Sequence, residues 1–217
     1  MPRPPAPSER VRVRRLPDRG AYDRATIDAI LDAQPMAHVG WVLDGAPMVT
    51  PTLQWREGDH VYWHGSAASR MLDRAAGAEV CVTVTILDGL VLARSAFNHS
   101  ANYRSVMLLG RATLVEDPDE KAARLRAFTE RLYPGRWDAL RPMTAQELKG
   151  TDVLSLAIDE ASAKIRTGPP KDDAEDLAHP VWAGVLPVTL QVHAPVPDPR
   201  ATVDLPVPAH ASDFRIG

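Results

Sequence analysis

The segment MAHVGWVLDGAPMVTPTLQW, residues 36–55, decides the fold of this chain. Apolar side chains alternate with small or polar ones on both sides of Asp44-Gly45. A period of two is typical of a half-buried strand, and an Asp-Gly pair tolerates the positive φ angles of a two-residue type I′ turn. The segment therefore predicts a β-hairpin.

Further segments downstream carry strand patterns. They are HVYWHG (60–65), EVCVTVTIL (79–87), LVLARSA (90–96), YRSVMLLGRATLVE (103–116) and two strands within DVLSLAIDEASAKIRTG (152–168). Asp88-Gly89 predicts another hairpin, and Gly110 predicts a bulge or bend. Because hairpins dominate and no β-α-β alternation repeats, we expect a mainly β (α+β) fold of six or seven antiparallel strands in a small closed or nearly closed barrel.

Helices are predicted between the strands, at the periphery of the barrel. Asp23 is a candidate N-cap for an amphipathic helix that ends before Pro35. A short helix is expected over about Ser69–Ala76. Asp117 begins a longer helix with a proline at its first position, and TAQELKG (144–150) predicts one or two more turns.

Composition is that of one compact domain: 217 residues, 45% hydrophobic and 24% charged. The formal net charge of -3 gives no overall attraction to nucleic acid or to an anionic membrane. Cys81 is the one cysteine, so no internal disulfide is possible; its apolar neighbours predict a buried structural residue and suit a reducing cytoplasm. The chain contains neither a signal-peptide h-region at its start nor an apolar run long enough to span a bilayer.

Changes in composition divide the chain into three parts. Residues 1–19 are rich in proline and arginine and predict a flexible basic arm. Residues 20–168 hold the strand patterns and form the expected barrel domain. Residues 169–217 contain nine prolines and predict an extended segment that packs on the barrel or on a partner.

The segment HGSAASRML, residues 64–72, links a predicted strand to a predicted helix. Small residues let a ligand approach the backbone, and the first amides of a helix have no intrahelical acceptor. Ser66 and Ser69 can add hydroxyl donors, and Arg70 a guanidinium. The segment therefore predicts a cradle for a phosphate monoester. A second interpretation stays open, in which a serine only caps the helix and Arg70 is a surface residue.

Other catalytic and binding motifs are absent from the sequence. There is no GxxxxGK[ST], no GxGxxG after a strand, no GxSxG and no HExxH. His60 and His64 share a strand face, but the strand rise separates them by about 13 Å, too far for one metal ion. His64 adjoins the cradle and is the candidate for a chemical role; a hydrogen-bonded structural histidine is the alternative.

Four blocks of the chain, in this order, resemble the pyridoxamine 5′-phosphate oxidase-related, flavin-nucleotide-binding proteins, and most of all the branch that includes nitroimidazole-resistance proteins. The resemblance covers about residues 12–190. The blocks are GAPMVTPTLQW (45–55), DHVYWHGSAASRMLDRA (59–75), residues 80–128 and KIRTGPPKDDAEDLAHPVWAGVLPV (164–188).

The resemblance implies an antiparallel split β-barrel of about six strands, and a homodimer with FMN in a cleft at the dimer interface. It places the FMN phosphate on Ser66, Ser69 and Arg70, in agreement with the cradle. Three further groups follow from the resemblance: Val49, Thr50, Pro51 and Thr52 along the flavin ring; His64 and Gly65 near the cofactor; and Tyr103, Arg104 and Ser105 at the cleft and interface. Deazaflavin or haem are alternative cofactors, since some relatives of this barrel bind haem.

Two classes of function stay open from the sequence. One is an FMN-dependent oxidoreductase acting on a small molecule such as a nitro compound, with the flavin transferring the electrons. The other is a non-enzymatic protein that binds or senses flavin or haem. The C-terminal Arg and His that hold a product phosphate in pyridoxamine phosphate oxidase are not recognisable, which argues against vitamin B6 oxidation. Trp182, in that region, either covers the flavin cleft or pins the C-terminal segment onto the barrel.

Overall fold

Antiparallel strand pairing dominates the computed structural model of the chain, which describes residues 4–216. Ten strands are present in this range. They are β1 Gly20–Ala21, β2 Met36–Leu43, β3 Ala46–Glu57, β4 His60–Ser66, β5 Glu79–Leu92, β6 Ser100–Arg111, β7 Thr113–Leu114, β8 Thr151–Ala157, β9 Glu160–Arg166 and β10 Gly184–Pro187. The helices are α1 Arg24–Ala33, α2 Arg70–Ala75, α3 Pro118–Leu132, α4 Ala145–Lys149 and α5 Ala209–Ser212.

The strands follow the order β1-β9-β6-β5-β2-β3-β4-β8-β7, and β10 pairs with β5 beyond the end of β2. Strand β3 belongs to two halves of the sheet. Its residues 46–53 pair with β2, and residues 54–57 pair with β4. The halves meet again at Ala112, where β6 ends and β7 turns to β8. The mainly β antiparallel fold is thus confirmed, and it is consistent with a split barrel. Over residues 4–216 the sheet does not close, since its end strands β1 and β7 do not pair with each other.

Alternating side chains on these strands fill the interior. Each large one contributes about 1.5–3 kcal/mol to folding relative to leaving it exposed. The main core includes Val39, Trp41, Val61, Trp63, Val82, Leu108 and Leu156, with Ile27 and Leu31 from α1 and Leu72 from α2. A second, smaller core lies under α3 and contains Trp55, Tyr62, Val115, Leu125 and Val153.

Several local predictions are confirmed. Asp44 and Gly45 have φ angles of 49° and 84° in a two-residue turn between β2 and β3. Asp23 caps α1 and Asp117 caps α3 through side-chain bonds to backbone amides. The bulge expected at Gly110 is not seen, because β6 keeps its register with β5 through Gly110; the strand predicted over residues 103–116 is instead interrupted at Ala112, between β6 and β7.

The hairpin predicted at Asp88-Gly89 is wrong. Strand β5 runs without a turn from Glu79 to Leu92, and only its register with β6 shifts between Leu87 and Gly89. Asp88 sits in this bulge, where its carboxylate accepts three hydrogen bonds from Arg104 of β6. Its carbonyl accepts a bond from the amide of Val188, just after β10. Strands on both sides of β5 therefore hold this Asp-Gly pair extended.

The expected number of about six strands is not confirmed. Two of the additional strands, β1 and β7, have two residues each, and β10 comes from the proline-rich C-terminal segment. Segments this short cannot display an alternating pattern. No helix within residues 4–216 has the length and apolar character that crossing a bilayer requires.

The N-cap of α1 provides a test of the fold. Asp23→Ala should lower the free energy of unfolding by about 1 kcal/mol near pH 7, because the amide of Thr26 loses its acceptor. Hydrogen bonds from Thr26 lower the pKa of Asp23 below its ordinary 3.8. The cap therefore stabilises the fold fully at pH values well above 3.8. This stabilisation is lost as the pH falls through the lowered pKa of Asp23 in the folded state.

Urea unfolding of both proteins at several pH values measures this difference. Asp173→Ala is the control, since Asp173 precedes a 3-10 helix without making a side-chain cap bond. The N-cap role of Asp23 would be contradicted if Asp23→Ala lowered the free energy of unfolding no more than Asp173→Ala does. It would also be contradicted if the loss caused by Asp23→Ala did not become smaller in acid.

Candidate functional site

Strands β3 and β4 separate beyond the Gln54–Trp63 pair. From there β3 follows β2, while the end of β4 pairs only with β8, through Gly65 with Asp152 and Ser66 with Thr151. Helix α2 begins four residues after β4, at Arg70. The predicted cradle therefore lies at the point where the two halves of the sheet divide.

The turn before α2 uses some of its amides and leaves others free. The amide of Ala67 donates to Gly150 O at 2.9 Å, that of Ala68 to Ser66 Oγ at 3.2 Å, and that of Ser69 to Ser66 O at 2.8 Å. The first intrahelical bond is that of Asp73 to Ser69 O. The amides of residues 70–72 are therefore the uncommitted donors at the helix start.

The side chains of the turn are also available. Ser69 stands at the N-cap of α2 without a side-chain cap bond, so its hydroxyl is not needed for capping. Arg70 is exposed and forms no ion pair with any residue between 4 and 216. Lys149 adds a second positive charge nearby, because the next residue, Gly150, bonds to the turn. Amides, hydroxyls and cations without a carboxylate partner can hold a phosphate.

Close packing explains why residue 65 is a glycine. A Cβ at this position would lie 3.1 Å from Cδ1 of Leu72, closer than side chains normally approach. The glycine lets α2 pack against the end of β4. The packing of α2 is therefore enough to explain the glycine, and contact with a cofactor is not needed to account for it.

His64 lies on the opposite side of β4 from the main core. Its imidazole is edge-on to Phe128, with ring centroids 4.5 Å apart, and to Trp55 at 5.9 Å. Nδ1 is buried and has no hydrogen-bond partner. Burial lowers the pKa of His64, so the ring is neutral near pH 7. A neutral imidazole in an aromatic pocket can ligate a metal, and the structure shows no protein hydrogen bond to Nδ1 within residues 4–216.

The β3 residues expected along the flavin do not share one face. Val49 and Pro51 point outward, and Val49 is 66% exposed. Thr50 and Thr52 alternate with them, and Thr50 Oγ1 accepts a bond of 3.0 Å from Nε1 of Trp41 in the core. Only the outward pair and the backbone can contact a ligand on the outside of the sheet.

Residues 103–105 lie on β6, three strands from β3, or about 14 Å by the usual strand spacing. Arg104 pairs with Asp88 at 2.8 Å, and Ser105 Oγ donates to Lys164 O at 3.2 Å. Tyr103 is half-buried opposite Arg166. Within one chain, then, the structure does not bring this group to the cradle.

Two other residues singled out from the sequence have clear positions. Trp182 is 63% exposed, and its ring lies over Gly184 at the start of β10, 2.6 Å from where a Cβ would be. Cys81 is half-buried, and burial raises the pKa of its thiol. Over residues 4–216, no three His, Cys, Asp or Glu side chains come close enough together to hold a metal ion.

Sequence reasoning did not find the surroundings of His64. Trp55 comes from β3 and Phe128 from α3, so only the packed structure brings the three rings together. The apolar stripe of α3, which includes Phe128, was the one available signal. It indicates a buried helix face without indicating what the face covers.

Comparison with known proteins defines the class. The family described as pyridoxamine 5′-phosphate oxidase matches residues 23–165, and the chain belongs to this family. No curated protein sequence matches it.

Individual solved structures are similar to this chain in both sequence and fold. The flavocytochrome Anf3 from Azotobacter vinelandii is 54% identical, with a TM-score of 0.95 over 99% of this chain and 100% of that one. The FAD and haem binding protein from Mycobacterium smegmatis is 40% identical, with a TM-score of 0.86 over 90% and 97%. A candidate 5-nitroimidazole antibiotic resistance protein from Bacteroides thetaiotaomicron, 23% identical with a TM-score of 0.55 over 67% and 86%, shares the fold.

Proposed function

We propose that this protein binds a flavin nucleotide and uses it to transfer electrons to a small molecule. The observation that carries the proposal is the turn at the start of α2, with its uncommitted amides at residues 70–72, the unused hydroxyl of Ser69 and the unpaired guanidinium of Arg70. FMN and FAD share the phosphate next to the ribityl chain, so the cradle suits both.

The chain's own residues have limited tasks in this proposal. Ser69 and Arg70 orient the phosphate, and the outward side of Val49 and Pro51 gives the ring an apolar surface. When bound, a flavin supplies one- and two-electron transfer, so no side chain needs to be an acid or base. The names of the flavocytochrome and of the FAD and haem binding protein support a redox cofactor. A nitro compound or a quinone-like molecule is the proposed acceptor.

The surface formed by the outer side chains of β2 and β3 favours a homodimer. Met36, Val42, Val49 and Leu53 are all exposed there. Contiguous exposed apolar side chains mark an interaction site, and a two-fold axis would cover this one with its own copy. A second chain could also bring its residues 103–105 to the cradle of the first. This places the flavin cleft at the interface in the proposal.

Haem is proposed as a second cofactor on the evidence of His64. A neutral, half-buried imidazole whose Nδ1 has no hydrogen-bond partner, packed against Trp55 and Phe128, would suit an iron ligand beside apolar rings. The two most similar structures described above, a flavocytochrome and an FAD and haem binding protein, support the same group. His64 would then hold the iron.

Replacing Arg70 tests the cradle. Arg70→Gln should weaken the binding of both FMN and FAD by roughly ten- to a hundredfold, because a charge-assisted phosphate contact is lost. Arg74→Gln on the same helix is the matched control, since Arg74 lies 3.6 Å from Asp73 and has an acid partner. Fluorescence titration measures the affinities. Equal affinities in the wild type and the Arg70 variant would contradict the cradle.

The same flavin-loaded protein separates an enzyme from a non-enzymatic carrier. Anaerobic mixing with NADH or NADPH should bleach the flavin absorbance, and a nitro compound should then restore it. A flavin that no such donor reduces would favour the carrier.

Replacing His64 tests the haem proposal. His64→Ala should abolish the Soret band of protein produced with haem supplied, whereas His60→Ala, four residues earlier on the same face of β4, should retain it. An unchanged Soret band in His64→Ala would exclude this histidine as the ligand.

A charge on the outer surface of β3 tests the dimer. Val49→Asp should convert the protein to a monomer in light scattering, because a carboxylate would be buried in an apolar interface. Val196→Asp, at an 89% exposed position of the C-terminal segment, should leave the mass unchanged. A wild-type monomer, or a dimer that survives Val49→Asp, would contradict the proposal.

A further inference from the structure

The N-terminal arm crosses the outer face of β5, β6 and β9 and borders an open cavity of about 470 Å³. The arm contributes residues 11–15 to this arm pocket, and the three strands form its floor. Arg10 ties the arm down, since its guanidinium bonds to Glu79 of β5 at 3.1 Å and also to Glu160 of β9. The pocket is therefore part of the folded sheet surface.

The lining of the arm pocket has one sign of charge. It includes the cations Arg12, Arg14, Arg15 and Lys164, and no carboxylate. Glu9, outside the lining, takes up part of this charge through ion pairs with Arg12 and Arg14. Within residues 4–216, Arg15 and Lys164 have no acidic partner. An excess of positive charge therefore faces the cavity.

The floor of the pocket adds hydroxyl groups. Thr83 and Thr85 come from β5, Ser105 from β6 and Ser162 from β9. Hydroxyls beside unpaired cations suit the oxygens of a phosphate, and they suit an ammonium ligand poorly because the cations would repel it.

Arg166 extends the positive charge along β9. It stands two residues beyond Lys164 on the same face and is only 5% exposed. The acceptors of its guanidinium are neutral: Asn102 Oδ1 and the carbonyls of Gly168 and Pro169. Its Nε is buried without a partner, and burial together with Arg19 lowers its pKa. No carboxylate of the described chain compensates this charge.

The arm pocket and the outer surface of β3 are connected. Residues 51, 38, 83, 107 and 162 form one cross-strand row from β3 through β2, β5 and β6 to β9. β3 and β5 are two strand spacings apart, about 10 Å. An extended dinucleotide with its ring beside Pro51 can therefore reach Thr83.

We propose that the arm pocket is a second phosphate site, which binds a nucleotide phosphate through Lys164, Arg15 and the hydroxyls of β5. The inference rests on the proposed flavin site and deepens it. The nucleotide has two possible sources: the adenylate half of FAD bound in the same molecule, or a separate nucleotide such as the electron donor. The shared chemistry is a phosphate held by cations that the fold leaves unpaired.

Titrations of Lys164→Gln with FAD and with FMN test the first source. If the adenylate half occupies the pocket, FAD binding should weaken about tenfold while FMN binding stays unchanged. Arg126→Gln, on α3 and away from this face, is the control and should alter neither. Arg70→Gln should weaken the binding of both FMN and FAD, whichever nucleotide the arm pocket takes. The Arg70 variant therefore tests the cradle and the Lys164 variant tests the arm pocket, so the failure of one proposal is distinguishable from the failure of the other.

Calorimetric titration of the FMN-saturated chain with ADP tests the second source. If the pocket takes a separate nucleotide, ADP should bind, and Lys164→Gln should weaken that binding about tenfold with FAD affinity unchanged. Should Lys164→Gln change neither FAD nor ADP binding, the proposal is overturned. The same ADP titration without FMN reports on the pocket even if the chain binds no flavin.

Discussion

The pairing of one strand with two partners is the constraint on which the rest of the structure depends. β3 bonds to β2 along residues 46–53 and to β4 along residues 54–57. β4 pairs with β8 along its whole length, residues 60–66, but with β3 only at residues 60–63, so its last three residues leave β3. Helix α2 begins just after this separation and contacts β2, β4 and β8. The candidate site follows from this geometry.

The same separation divides the molecule into two chemical environments. On one side of β4 lies the main core with Trp63, and on the other lies the smaller core with Trp55 and His64. The outer surface of β2, β3 and β5 is a third region, apolar near β3 and increasingly cationic toward β9. The split sheet brings these three regions together within a single chain of 217 residues.

Sequence patterns correctly predicted the features that depend only on residues close together in the sequence, such as turns and helix caps. Asp44-Gly45 and Asp88-Gly89 show the limit of such rules, because the same dipeptide forms a turn at one position and a bulge at the other. Arg104 and the amide of Val188 hold Asp88 extended, and both come from strands or segments distant in sequence. The turn between β4 and α2 was foreseeable because a strand, small residues and a helix adjoin in sequence. The aromatic pocket of His64 and the arm pocket were not, since each joins parts of the chain that meet only after folding.

A crystal structure of the flavin-loaded protein tests the central claim most directly. The account predicts the flavin phosphate at the start of α2, about 2.7–3.1 Å from the amides of Met71 and Leu72, with the guanidinium of Arg70 on its oxygens and the ring beside Pro51. A phosphate bound elsewhere in the molecule, with Arg70 directed into solvent, would contradict it.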